Sequence, residues 1–360
     1  MSRFFVSATF FVFGTILFLG IGNAASCQLL EQAFQADVCN EGEDGDCKRK
    51  ILFNSSAIVF SEQMRVNTDG NIRSYSAKDP AGELCSNLEP NADPYKNGCA
   101  MNTICNGIRV VYKDGRVLRG VGDPEKKVEV DCPKLIREFN RIKKADWSPD
   151  DGSRVGWGTV IRTRSNKGPD VAKPCKTGHF MVSMASAMSG LPAKNRCDQA
   201  QYLDSDVPSV VVPLCWSQVY RTKNPSECKK YISNFEIHNV LPGDLAVVRR
   251  RDAPNQLIFA VVGDNGPVHK IGEASVGLHW RLKGRHGLPR TKNSMYKLDN
   301  KDLFDVIVFP GSRPKKIVIT PDSYAEMKNA SKRQFISWGG GKLSDGIARF
   351  SECSLAVRSN

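Results

Sequence analysis

The chain has 360 residues, with 51 Lys and Arg against 38 Asp and Glu and a formal net charge of +13. Hydrophobic residues make up 41%, which excludes a disordered chain and is enough for one large or two smaller cores. The absence of heptads and of long repeats argues against coiled coils and solenoids, and twelve cysteines without a CxxC pair favour disulfides over a Cys-rich zinc module.

Arg3, the uncharged run from Phe4 to Gly22 and the small residues Ala24-Ala25-Ser26 follow the pattern of a secretory signal peptide over 1–25. The run is short for a membrane-spanning helix, so a soluble, secreted protein is expected (periplasmic if the cell is bacterial), with no stable membrane insertion. Removing the leader lowers the charge by one, to +12, and keeps all twelve cysteines, enough for up to six bridges whose pairing spacing alone does not reveal. Residues 26–50, with Cys27, Cys39 and Cys47 around an acidic stretch, read as a disulfide-tied lead-in to a single domain over 51–350.

Short β-type runs then alternate with turn signals. Ile108–Tyr112 and Arg116–Leu118 flank Lys113-Asp114-Gly115, a hairpin signal because Asp-Gly tolerates positive φ. Leu135, Ile136, Phe139 and Ile142 have helical spacing within Pro133–Lys144. Strands are expected at Pro208–Pro213, Asp244–Val248, Leu257–Val262, Phe304–Phe309 and Ile317–Ile319, and helix starts at Asn224-Pro225 and Thr320-Pro321. Many short strands with few helices fit a closed or partly closed β-barrel better than a parallel α/β sheet.

Nucleotide chemistry has little support, since no GxxxxGK[ST] or GxGxxG follows a strand. The five histidines show no HExxH and no i, i+4 pair, so neither a metal nor another cofactor is expected. No GxSxG elbow marks a serine nucleophile. The segment Ala260–Leu278 is different. A strand is expected to deliver Asp264 to its exit, Asn265-Gly266-Pro267 turns the chain, and Gly272-Glu273 opens an apolar, helix-like run. Two carboxylates on one short connection are what glycoside hydrolysis requires, one protonated and one ionised. The same pair also fits a turn-capping Asp and a solvated helix-start Glu.

The run GDNGPVHKIGEASVGL resembles the motif of fungal-type chitosanases, glycoside hydrolase family 75. Asp69-Gly70 with Tyr75, Trp157-Gly158, Phe180–Ser183, Tyr202–Pro208 with Val211–Pro213, Pro242–Ala246, Val308–Ser312 and Trp338–Gly340 are similar to that family's segments, in order across about residues 55–345. The resemblance implies a six-stranded double-psi β-barrel, in agreement with the strand-rich pattern; a mainly β chain with peripheral helices is expected, with several disulfides from the cysteine count and no cofactor. It also implies an inverting hydrolase of chitosan-like polymers, with Asp264 and Glu273 as the essential pair. Glu273 is assigned as general acid and Asp264 as base, with the exchanged assignment open. Lys270, inside the motif, joins Asp204, Asp206, Tyr202 and Trp157 as candidate substrate-binding residues; the two aspartates fit a structural role equally, and the two aromatics fit a core or barrel-rim role.

The expected partner is a polysaccharide, acted on by a monomer. No recognition motif accompanies the basic charge, so nucleic acid is not expected. Chitosan is a polycation, and a basic protein is not steered towards it unless its cleft is locally acidic. Arg249-Arg250-Arg251 and the group Arg281, Lys283, Arg285, Arg290 and Lys292 fit solvated loops or a cleft rim. In the second case a neutral or anionic glycan such as peptidoglycan becomes the better substrate. A barrel that binds without turnover is the remaining alternative.

Overall fold

The computed structural model describes residues 27–35, 48–68, 71, 73–121, 128–157, 174, 179–181, 207–214, 235, 238–266, 271–285, 289–298, 300–314 and 321–358. Strands β1 (Leu30–Gln35) and β2 (Lys48–Phe53) pair antiparallel and lead, through β2, onto β3 (Ile58–Asn67). A two-stranded sheet joins β4 (Tyr75–Ser76) to β9 (Phe180–Met181). A four-stranded sheet holds β5 (Ile108–Val111), β6 (Val117–Arg119), β7 (Glu129–Val130) and β8 (Arg154–Trp157), with helix α1 (Cys132–Lys144) packed on it. Then come β10 (Ser209–Pro213), β11 (Leu245–Arg250), β12 (Leu257–Gly266), β13 (Glu273–Ser275), α2 (Val276–Leu282), α3 (Lys292–Tyr296), β14 (Asn300–Phe309), α4 (Pro321–Gly339) and α5 (Leu343–Arg358).

Six strands close on themselves in the order β3-β13-β10-β12-β11-β14, with β14 pairing back onto β3. The β10–β12 and β13–β3 pairings are parallel and the other four antiparallel. The expected six-stranded barrel with peripheral helices is therefore present.

Alternation along the strands divides the core in two. Ile58, Phe60 and Met64 of β3 meet Val210, Val212, Ala246, Val248, Ala260, Val262, Ala274, Phe304, Val306 and Val308 inside the barrel, and Leu278 and Leu282 of α2 plug that core. The intervening residues, Val59, Val247, Phe259, Val261, Ile307 and Phe309, face outwards. There they are covered by Met327, Phe335 and Trp338 of α4 and Phe350, Cys353 and Val357 of α5. A period of two on a strand that buries both faces gives this near-continuous run of apolar residues.

The local signals act as expected where tertiary contacts agree with them. Asp114-Gly115 turns β5 into β6, with Gly115 at φ +87° and Tyr112 N–H bonded to Arg116 O at 2.9 Å. Asp131 caps α1, accepting from Lys134 N at 2.8 Å, and Leu135, Phe139 and Ile142 bury its apolar face. Pro321 opens α4. Gly339-Gly340-Gly341 joins α4 to α5, and Gly339 lies so close to Gly346 that a Cβ would sit 2.3 Å from its Cα. The expected strand at 317–319 and helix start at 224–227 lie outside the described residues.

Among the described residues three disulfides form: Cys27–Cys353, Cys85–Cys99 and Cys105–Cys132. The other six cysteines lie outside the described residues. Among the described residues, no helix is long and apolar enough to cross a membrane.

Candidate active site

Two expectations about the site's backbone need correction. Asp264 is not at the exit of its strand, because β12 continues to Gly266 by pairing parallel with β10. Glu273 does not open a helix: it begins strand β13, and α2 starts only at Val276, capped by Ser275, whose hydroxyl accepts from Leu278 N at 3.2 Å. The apolar run is helix-like in sequence, but backbone pairing to β3 and β10 claims its first three residues.

That pairing brings the two carboxylates into register. Val211 of β10 is the partner of Asp264 on one side and of Glu273 on the other. A β-bulge makes this possible. Val210 pairs with Val262 but Val211 pairs with Asp264, so Gly263 is the extra residue. Val210 and Val262 face the barrel interior, and without the bulge Asp264 would point there too. The inserted residue turns Asp264 to the opposite face, which it shares with Val211 and Glu273. Glycine is required at 263, since a Cβ there would lie 2.4 Å from the Ser209 side chain.

Two strand spacings of ~4.8 Å separate the Asp264 and Glu273 backbones by roughly 10 Å. Asp264 is 8% exposed and Glu273 half-buried. Asn67 Nδ2 donates to Glu273 Oε2 at 3.2 Å, and Asn265 N–H donates to Asp264 Oδ1 at 2.8 Å. Arg65, exposed, stands opposite Glu273 on β3. Gly272 sets the approach: it has φ +93°, its carbonyl accepts from Arg65 N at 2.8 Å, and a Cβ would meet Gln63 O at 2.4 Å. Ser275 ties the site to β10, its hydroxyl accepting from Ser209 N at 2.9 Å. Asn265 faces the other way, towards Val212, and its buried amide has no hydrogen-bond partner among the described residues.

Behind Glu273, His279 of α2 is 1% exposed, with its ring edge-on to Phe304. Burial lowers its pKa to about 4, the Lys283 charge acts in the same direction, and the Arg65 backbone opposes both.

The remaining candidates divide. Tyr202, Asp204, Asp206 and Lys270 lie outside the described residues. Trp157 is on β8, paired with Ile108, in the four-stranded sheet rather than on a barrel strand. Sequence reasoning missed Asn67, whose alternating strand gave it no distinguishing mark, and Val211, placed in a strand and in a segment similar to the family's but not at the site. The one signal for the bulge was the Gly263-Asp264 step within a β-run.

Of the residues in the basic blocks, only Arg285 is exposed. Arg249 is 2% exposed and pairs with Asp305 at 3.1 Å. It lies opposite Leu257, at the far end of β12 from Asp264, so this block does not rim the site. In the second group, Arg290 donates to Glu89 O and Ala92 O at 2.6 Å, and Lys292 to Ala81 O at 2.8 Å. Arg281 lies over the Tyr324 ring at 5.1 Å. Buried Arg73, its pKa lowered to about 10 chiefly by desolvation, donates to Pro289 O and Arg290 O from the other side. Much of this positive charge therefore serves to hold backbone carbonyls.

Compared with known proteins, the chain matches no family model and no curated protein.

Proposed function

We propose that the protein is a secreted inverting endo-glycosidase that hydrolyses β-1,4-linked glucosamine polymers of the chitosan type, with Asp264 and Glu273 as its acid–base pair. The observation that carries this reading is the Gly263 bulge, which turns Asp264 onto the face of Glu273 with one residue, Val211, between them. A β-strand has no structural need for such a bulge, and bulges recur beside active sites because they re-aim a side chain.

In the reaction, the protonated carboxyl gives its proton to the leaving glycosidic oxygen as the C1–O bond breaks. The ionised carboxylate takes a proton from a water whose oxygen forms the new bond to C1 from the opposite face. Solvent then resets both groups. Inversion needs carboxyl groups ~6.5–9.5 Å apart to hold that water, whereas retention needs about 5 Å. A backbone separation of two strands supports the wider arrangement. The Asn67 amide orients the Glu273 carboxylate in either role.

The test is reducing-end release from chitosan, chitin, peptidoglycan and an acidic glycan, with product anomers followed by NMR. Asp264→Asn and Glu273→Gln should each lower kcat on the active substrate by about 10²–10⁴-fold, the usual scale of general acid–base catalysis. Wild-type activity on chitosan that survives both substitutions would overturn the assignment. Activity on another glycan, lost in both variants, would keep the site and replace the substrate; the basic net charge, which repels a polycation such as chitosan, favours this second reading.

A further inference from the structure

Helix α2 begins three residues after Glu273, and described residues at the end of this helix, at 283–285 and in and just after α3 border a cavity of about 180 Å³. Trp280, Lys283, Arg285, Ser294, Lys297 and Leu298 line it. Three of these six are cations and none is acidic. Leu298 is buried, and with Met101, Val276 and Met295 it forms a small apolar cluster against which Trp280 packs. The Arg285 guanidinium lies 5.6 Å from the Trp280 ring centroid. Lys283 Nζ donates to Lys297 O at 2.9 Å. Arg285 and Lys297 are exposed at the rim.

We propose that this cavity is a subsite for a carboxylate-bearing sugar ring, so that the glycan the protein recognises is acidic. The inference rests on the Asp264–Glu273 acid–base pair of the glycoside hydrolase reading and takes that reading's second substrate, an acidic glycan, in place of chitosan. An indole beside an apolar floor matches the C–H face of a pyranose, and a rim of cations matches a carboxylate on the same ring. The volume is below that of a drug-sized pocket and fits a single ring rather than an extended ligand. The position is also suitable: Glu273 and Trp280 are separated by three strand steps of ~3.3 Å and four helical steps of ~1.5 Å, so they lie within roughly 16 Å. An oligosaccharide of a few units spans that distance.

The test uses the mature protein carrying Glu273→Gln, to prevent turnover, and isothermal titration with two probes. One is a hexasaccharide alternating glucuronate with N-acetylglucosamine; the other is the same hexasaccharide with its carboxyls reduced to alcohols. The acidic probe should bind at least ~10-fold more tightly in low salt, a margin that shrinks as salt rises. The double variant Arg285→Glu/Lys297→Glu should remove the margin while keeping the Tm and the affinity for the reduced probe. Equal affinity for the two probes, or a margin that survives the double variant, overturns the subsite. The hydrolase reading fails by a different result: discrimination between the probes together with no reducing-end release by the wild-type protein from any glycan.

Discussion

Gly272 holds Glu273 in place through two constraints that no other residue satisfies. Its φ of +93° is costly for any side chain, and a Cβ would meet the Gln63 carbonyl at 2.4 Å. Gly272→Ala should therefore destabilise the protein by about 2 kcal/mol or more in urea unfolding, and it should lower kcat beyond any loss of folded protein because β13 must shift away from β3. A variant of unchanged stability and activity would show that β13 is not so constrained. His279 makes a different prediction. Its folded-state value of about 4 lies below the unfolded 6.5, so at pH 7 the imidazole is neutral in the folded state and mostly neutral in the unfolded one. As pH falls from about 6.5 towards 4, the unfolded chain takes up a proton that the folded chain refuses, and stability declines by up to about 3 kcal/mol. His279→Leu should flatten this slope across pH 4–6.5, measured as unfolding midpoints. A slope that persists in the variant would assign the acid sensitivity to other groups.

Between elements, Asp244 ties together two of the turn segments that the sequence singles out. Its carboxylate accepts from Leu241 N at 2.8 Å, Gly311 N at 3.1 Å and Arg313 N at 2.9 Å, so the turn before β11 is bolted to the turn after β14. Ser312 answers by accepting from Leu245 N at 2.8 Å. Burial pushes the Asp244 carboxyl up, and the backbone N–H groups oppose it. Asp244→Ala strands three donors at once and should cost about 3 kcal/mol or more, read as a lowered urea midpoint with an unchanged slope. At this scale the sequence was legible wherever a cap, a turn or a regular period acted within a dozen residues: the Asp114-Gly115 hairpin, the α1 face and the apolar runs of β11, β12 and β14. It was not legible at β13, where three residues join a strand because β3 and β10 stand on either side of them.

Across the whole molecule, the C-terminal helix is fastened to the barrel by buried charge and a covalent bond. Asp305 of β14, fully buried, accepts from Arg249 of β11 at 3.1 Å and from Arg358 of α5 at 2.6 Å, with Ser61 of β3 as a further donor. Arg249 also reaches Ser351 at 2.9 Å and lies over the Phe350 ring at 4.3 Å. Cys27–Cys353 joins the same helix to the chain before β1. Asp305→Asn leaves two arginines without their shared anion and should destabilise by about 3–5 kcal/mol, the range for breaking a buried pair. Loss of under ~1 kcal/mol in chemical denaturation would show that solvent reaches the cluster. The arrangement also explains why net charge was a poor guide to the site: a composition of +13 counts Arg249, Arg73 and Arg290 equally with exposed lysines.

By itself the sequence determined that the chain is strand-rich, disulfide-bonded and supplied with an Asp and a Glu on one short segment, because hydrophobic period, cysteine content and residue type are local properties. Tertiary structure alone decided that these carboxylates share a face. Val211 is remote in sequence from both, and the choice between facing the barrel interior and facing outwards depends on a single inserted residue, Gly263, in a parallel pairing with β10. A side-chain period of two makes that choice all-or-none, and only the neighbouring strand sets it.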